Sequence, residues 1–173
     1  EDPADVTKEA YLSFLSENGL DPSVFPSILK LETDVVRMII NLLRGDSSAV
    51  GHLTSGGTES IMLAVKSARD KARVEKPRVT HPEMVLPKNA HAAFHKAAHY
   101  LCVKPVVVDL DPKTFTVQAS DMESAVNENT ILLVASAPSY SQGMIDPIKE
   151  IGAIANKHNL LFHVDGCVGG LHL

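Results

Sequence analysis

Short apolar runs and amphipathic helical stretches take turns along these 173 residues, and that alternation restricts the chain to an α/β fold on a mostly parallel sheet. Apolar side chains at Ile28, Leu31, Val35, Met38, Ile39 and Leu42 recur at helical spacing, so a helix is predicted over 28–43, with Gly45 as its stop. A second helix is expected from Thr58 to Arg73, a third from Ala90 to Tyr100, a short one over 121–127 and a last one from Pro147 to His158. Between them lie the strand candidates Met84–Leu86, Val106–Leu110, Ile131–Val134 and Leu160–Asp165. In a fold of this class ligands gather at the carboxyl ends of the strands, so the loops there are where chemistry is sought.

Composition narrows the function. With 45% hydrophobic and 21% charged residues, the chain can bury a core and belongs with soluble globular proteins. Its net charge is −5, and sixteen Lys and Arg are scattered among twenty-one acids, which excludes the basic stripe of a nucleic-acid binder. No apolar run approaches the ~20 residues of a membrane span, and the acidic start Glu1-Asp2-Pro3-Ala4-Asp5 is no signal peptide. Cys102 and Cys167 make no disulfide framework, which favours a reducing compartment and hence the cytoplasm; a membrane-anchored full-length protein stays compatible with this. Residues 1–45 are expected to form an N-terminal segment and helix leading into a large domain over 46–173. The chain ends eight residues after a buried strand, as a piece of a longer polypeptide would.

Four loops carry residues able to do chemistry. Thr54–Ser60 places Gly56 and Gly57 just ahead of a helix, where the free N–H groups of Gly57, Thr58 and Glu59 can hold an anion; a plain glycine turn with a hydroxyl cap fits the spacing equally. No phosphate-loop lysine and no dinucleotide glycine pattern accompany it. Asp165 closes an apolar strand, and a buried carboxylate there needs a cation or several donors, unless it merely caps the turn at Gly166. His91 opens a helix and can stack on a flat heteroaromatic ring or move protons. With His95 it has the spacing of a zinc-protease pair, but Ala92 stands where the glutamate is needed, so no metal is expected and His95 and His99 are read as a solvated face. Ser139 and Tyr140 lie between a strand and a helix and can enter the same cleft, although an ordinary polar loop explains Tyr140 as well.

Taken in order, Ser55–Ser60, His91–Tyr100, Gly143–Pro147 and His163–Gly170 resemble the motif series of the group II pyridoxal-phosphate-dependent decarboxylase family, from about Leu20 to Gly170. Asp21–Ser27 with Leu31-Glu32, Thr54–Asp70 and His91–Tyr100 look most like its sphingosine-1-phosphate lyase branch. The resemblance implies the large domain of a fold-type-I pyridoxal-phosphate enzyme, with Gly57 and Thr58 on the cofactor phosphate. His91 would stack on the pyridine ring as the catalytic histidine, Asp165 would pair with the ring nitrogen, and Ser139 would face cofactor and substrate. It implies retro-aldol cleavage of a phosphorylated long-chain base to a fatty aldehyde and phosphoethanolamine, in a homodimer. The alternatives are an amino-acid decarboxylase acting on glutamate, tyrosine or aspartate, and a non-catalytic fragment.

Three departures stand against the pattern. Gly166 replaces the usual alanine after the ring-binding aspartate, and Tyr140-Ser141-Gln142 replaces the Phe-Pro-His of the lyases. The Schiff-base lysine should follow Asp165 by some tens of residues, and none of the eleven lysines has that setting.

Overall fold

The computed structural model describes residues 2–17 and 20–172. They form two compact units, Glu1–Leu53 and Thr54–Leu173.

The first unit holds two helices. Helix α1 (Pro3–Phe14), which the sequence reading did not anticipate, starts with Asp2 accepting the Ala4 N–H and with Pro3 in its first turn. Helix α2 (Pro26–Leu42) likewise opens on a proline. Its stop differs from the expected glycine: Arg44 takes the left-handed conformation at φ 56°, and Gly45 follows it, donating its N–H to Ile40 O at 2.8 Å. Neither helix fully buries a side chain.

The second unit is a four-stranded sheet, all parallel, in the order β2 (Lys104–Val108), β1 (Glu83–Pro87), β3 (Thr130–Ser136), β4 (Leu161–Asp165). The two central strands are buried along their whole length, which is why they read as continuous apolar runs. Their side chains alternate between two cores. Met84, Leu86, Leu132 and Val134 face helices α3 (Gly57–Glu75) and α4 (Ala92–Leu101), where Val65 and Phe94 are fully buried. Val85, Leu133 and Ala135 face the opposite layer, built with Met122 of α5 (Ala119–Ser124) and Ile151 and Ile154 of α6 (Ile148–Lys157). A short helix α7 (Gly169–His172) follows β4.

Strand β2 begins two residues before the expected Val106 and takes in Pro105; an outer strand tolerates a residue that cannot donate to the ladder. At the amino end of β1 the buried Glu83 is held by Asn127 and Lys104, whose hydrogen bonds keep its carboxyl below the usual range. The carboxyl ends of β1, β3 and β4 open on the other side, toward the loops.

Candidate active site

The start of α3 supplies one wall of a cleft. Gly56 adopts φ 156° and ψ 175°, a region closed to residues with a side chain, and this turns the chain directly into the helix. Ser60 N–H closes the first helical bond on Gly56 O, and the N–H groups of Gly57, Thr58 and Glu59 have no acceptor among the described residues. A methyl group on either Gly56 or Gly57 would meet nothing within 4 Å, so the space before these donors is open. Two further contacts brace the turn. Glu59 reaches back to Ser55, accepting from its N–H at 2.7 Å and its hydroxyl at 2.6 Å, and the hydroxyl bond foremost holds that carboxyl below its ordinary value. Thr54 Oγ1 donates to Gly56 O and lies 2.7 Å from Ser60 Oγ.

The end of β4 lines the same cleft. Asp165 is half-buried; its main-chain oxygen accepts from Ala137 N–H at 2.9 Å, and its Oδ1 accepts from Cys167 N–H at 3.2 Å. The capping role foreseen for this aspartate is therefore real, but reaches Cys167 rather than Gly166, and it leaves Oδ2 without a donor among the described residues.

His91 completes the site from the β1–α4 loop. It is the residue preceding α4, and its Nδ1 accepts the Ala93 N–H at 3.1 Å, so the neutral ring carries its proton on Nε2. Tyr140 stands edge-on to that ring, centroids 5.5 Å apart at 75°. Gly57, Thr58, His91 and Asp165 thus line one cleft of about 600 Å³, well within the range of a small-ligand site.

Ser139 is not among the residues lining that cleft. It is buried, with its hydroxyl accepting from Met144 N–H at 3.3 Å and its main chain bonded to Met144 and Gly143, so it closes its own loop. Tyr140 in turn does more than fill a polar loop, since it contacts His91. His95 and His99 are exposed, and among the described residues no three His, Cys, Asp or Glu side chains converge on a metal position. His163 and Cys167 line the cleft too, and the sequence reading singled out neither. The first was detectable: alternate residues of a strand share a face, so His163 had to accompany Asp165.

The family model for the pyridoxal-dependent decarboxylase conserved domain matches residues 9–173. The chain belongs to that family. Its cofactor is pyridoxal phosphate. The family's sphingosine-1-phosphate lyase of Dictyostelium discoideum is 47% identical over 165 residues, 95% of this chain and 31% of the relative. Sphingosine-1-phosphate lyase 1 of Rattus norvegicus is 47% identical over 162 residues, 94% of this chain and 28% of the relative. The chain thus spans less than a third of the length of these two proteins. The crystal structure of sphingosine-1-phosphate lyase from Burkholderia pseudomallei superposes with a TM-score of 0.89 at 40% identity, covering 96% of this chain and 40% of that one. Glutamate decarboxylase of Lactobacillus brevis superposes at 0.84 with 23% identity, a likeness of fold alone.

The cleft fits the family's cofactor on its own evidence. Three N–H groups without an acceptor among the described residues stand at the positive end of a 19-residue helix whose first residues line the cleft, as a phosphate requires. A carboxylate with one oxygen that accepts from no donor among the described residues lines the same cleft, as a protonated ring nitrogen requires.

Proposed function

We propose that the whole protein carrying this chain is a pyridoxal-phosphate-dependent lyase that cleaves a phosphorylated long-chain base between Cα and Cβ, giving a fatty aldehyde and phosphoethanolamine. The observation that carries the reading is the cleft itself, with an anion cradle at Gly57 and Thr58, a carboxylate at Asp165 and an imidazole at His91 around one space. The choice of lyase over decarboxylase is supported by identities of 40–47% to lyases against 23% to a glutamate decarboxylase.

When bound, the cofactor supplies an electron sink for the carbanion left at the substrate α-carbon. The chain's own residues bind and orient it. The N–H groups of Gly57 and Thr58, with the Thr58 hydroxyl, hold the phosphate end. Asp165 keeps a proton on the ring nitrogen, because a carboxylate in a partly dry cleft favours the charged form of its partner. His91, fixed by Ala93 N–H and Tyr140, covers a ring face with its Nε2 proton available for transfer.

The same proposal includes a homodimer in the cytoplasm. Helices α1 and α2 leave Tyr11, Leu12, Leu31, Met38 and Leu42 exposed, which supports a partner surface. No helix among the described residues is long and apolar enough to cross a membrane. Product analysis on the whole protein decides the chemistry: a phosphorylated long-chain base should release a fatty aldehyde. Carbon dioxide from glutamate, tyrosine or aspartate, without aldehyde release, would establish the decarboxylase instead.

A further inference from the structure

The triplet Tyr140-Ser141-Gln142, where this chain departs from the lyase pattern, sits at the tip of the loop between β3 and α6. The base of that loop is closed. Ser139 donates its N–H to Met144 O at 2.8 Å, and its own carbonyl accepts from Gly143 N–H at 2.9 Å, with Gly143 in the left-handed conformation at φ 67°. Tyr140 is 82% exposed, yet its ring stands edge-on to His91. So little burial cannot hold an aromatic side chain in one place, and the loop that carries it has to.

A side-chain pair ties this tip to the loop of His91. Asn89 Nδ2 donates to Gln142 Oε1 at 3.0 Å and to Phe115 O at 3.2 Å. Ser141 Oγ donates to the same Gln142 oxygen. Asn89 precedes His91 by two residues and Gln142 follows Tyr140 by two, so the hydrogen bond and the ring contact close one circuit across the two loops. The Asn89 nitrogen thereby uses both its hydrogens, while its Oδ1 is left buried with no partner among the described residues. An unpartnered buried oxygen works against the fold, so what the nitrogen does is what keeps the amide in place. Turned over, the amide would set its oxygen against Phe115 O, acceptor facing acceptor.

We infer that Gln142 is a positioning residue for His91: by accepting from Asn89 it holds Tyr140 against the imidazole and so fixes the plane that ring presents to the cofactor. The inference rests on the reading of His91 as the group over the cofactor ring. Ala93 N–H fixes the position of His91 Nδ1 but not the tilt of the ring, which the edge of Tyr140 sets. Gln142 is not among the residues lining the cleft and acts through Tyr140 alone.

The test uses the whole protein with carbon-13 in its histidine rings, first without and then with pyridoxal phosphate. The His91 NMR signal is the one lost in His91→Gln, and Tyr140→Ala marks where it lies once the ring contact is gone. Gln142→Ala should move the signal most of the way to that position. Gln142→Glu keeps an acceptor oxygen for Asn89 and should leave it where the unsubstituted protein has it. In the loaded protein, the circular dichroism of the bound cofactor should change in Gln142→Ala and be restored in Gln142→Glu. A merely structural role predicts a lower unfolding temperature for Gln142→Ala with the His91 signal unmoved, and that result overturns the inference. So does a His91 signal indifferent to Tyr140→Ala, or one displaced equally by both Gln142 variants. If His91→Gln leaves the dichroism of the bound cofactor unaltered, the His91 reading falls and this inference with it. A dichroism that responds to His91→Gln but not to Gln142→Ala overturns this inference alone.

Discussion

Replacing Gly57 and Gly56 one at a time by alanine separates binding from folding within a single turn. At Gly57 the backbone is helical and a Cβ meets nothing within 4 Å, so Gly57→Ala strains nothing. Alanine is also the better helix former, so unfolding free energy should stay level or rise by up to about 1 kcal/mol. The added methyl, however, meets open space at a residue that lines the cleft. If it displaces the phosphate from one of the N–H groups of Gly57, Thr58 and Glu59, a hydrogen bond to a charged group worth about 1.5–3 kcal/mol is lost. That corresponds to a fall in cofactor affinity of about 10- to 150-fold. At Gly56 the backbone lies at φ 156° and ψ 175°, so Gly56→Ala should destabilise the fold itself by about 1–3 kcal/mol. Urea unfolding without ligand and a fluorescence titration with pyridoxal phosphate measure the two quantities separately. A Gly57→Ala variant that binds pyridoxal phosphate as tightly as the unsubstituted protein would refute the cradle.

Further outcomes follow from the same geometry. Asp165→Asn should still admit the cofactor but leave its ring nitrogen unprotonated, with turnover in the whole protein falling at least about 100-fold; unchanged turnover would remove Asp165 from the site. Phe94→Ala empties a fully buried position beside His163 and should cost about 3–5 kcal/mol in urea unfolding. Helix α4 ends on Cys102 in the left-handed conformation at φ 54°, so Cys102→Gly should raise the unfolding midpoint, by about 1 kcal/mol in free energy. Asp146 is buried with Oδ2 accepting from Ser136 N–H and Oδ1 unpaired, and burial raises its pKa above the ordinary 3.8. The folded state thus binds this proton more readily than the unfolded state. Its contribution is fully present below the unfolded value and is lost as pH rises through the raised one. The stability advantage of the parent over Asp146→Asn should therefore shrink with rising pH, as paired urea titrations at acid and neutral pH would record.

The parts of the fold that depend on periodicity were legible in the sequence. Strands β1 and β3 are buried on both faces and therefore had to be unbroken apolar runs, and α3 and α4 carry a single apolar stripe each. Helix α1 was missed because its apolar stripe is weaker than that of α2, although Asp2 and Pro3 signal its start. At the candidate site, Gly57, Thr58, His91 and Asp165 line one cleft, and their places at a strand end and at helix starts can be read locally. What escaped depends on contacts across the chain. Whether Ser139 faces a cleft or its own loop depends on how Met144 and Gly143 fold back on it. That Tyr140 meets His91 depends on two loops nearly fifty residues apart in sequence approaching each other at the ends of neighbouring strands.

The two walls of the cleft lie more than a hundred residues apart along the chain, one opening the second unit and the other near its close. A ligand that spans them acts as a clasp on the whole sheet between, because every strand and both helical layers must be in place before its two ends can be gripped at once. At a hundredfold excess over its Kd such a clasp adds about 2.7 kcal/mol to the folded state. Loss of bound cofactor should then register damage anywhere in the unit, including at residues that never approach the ring.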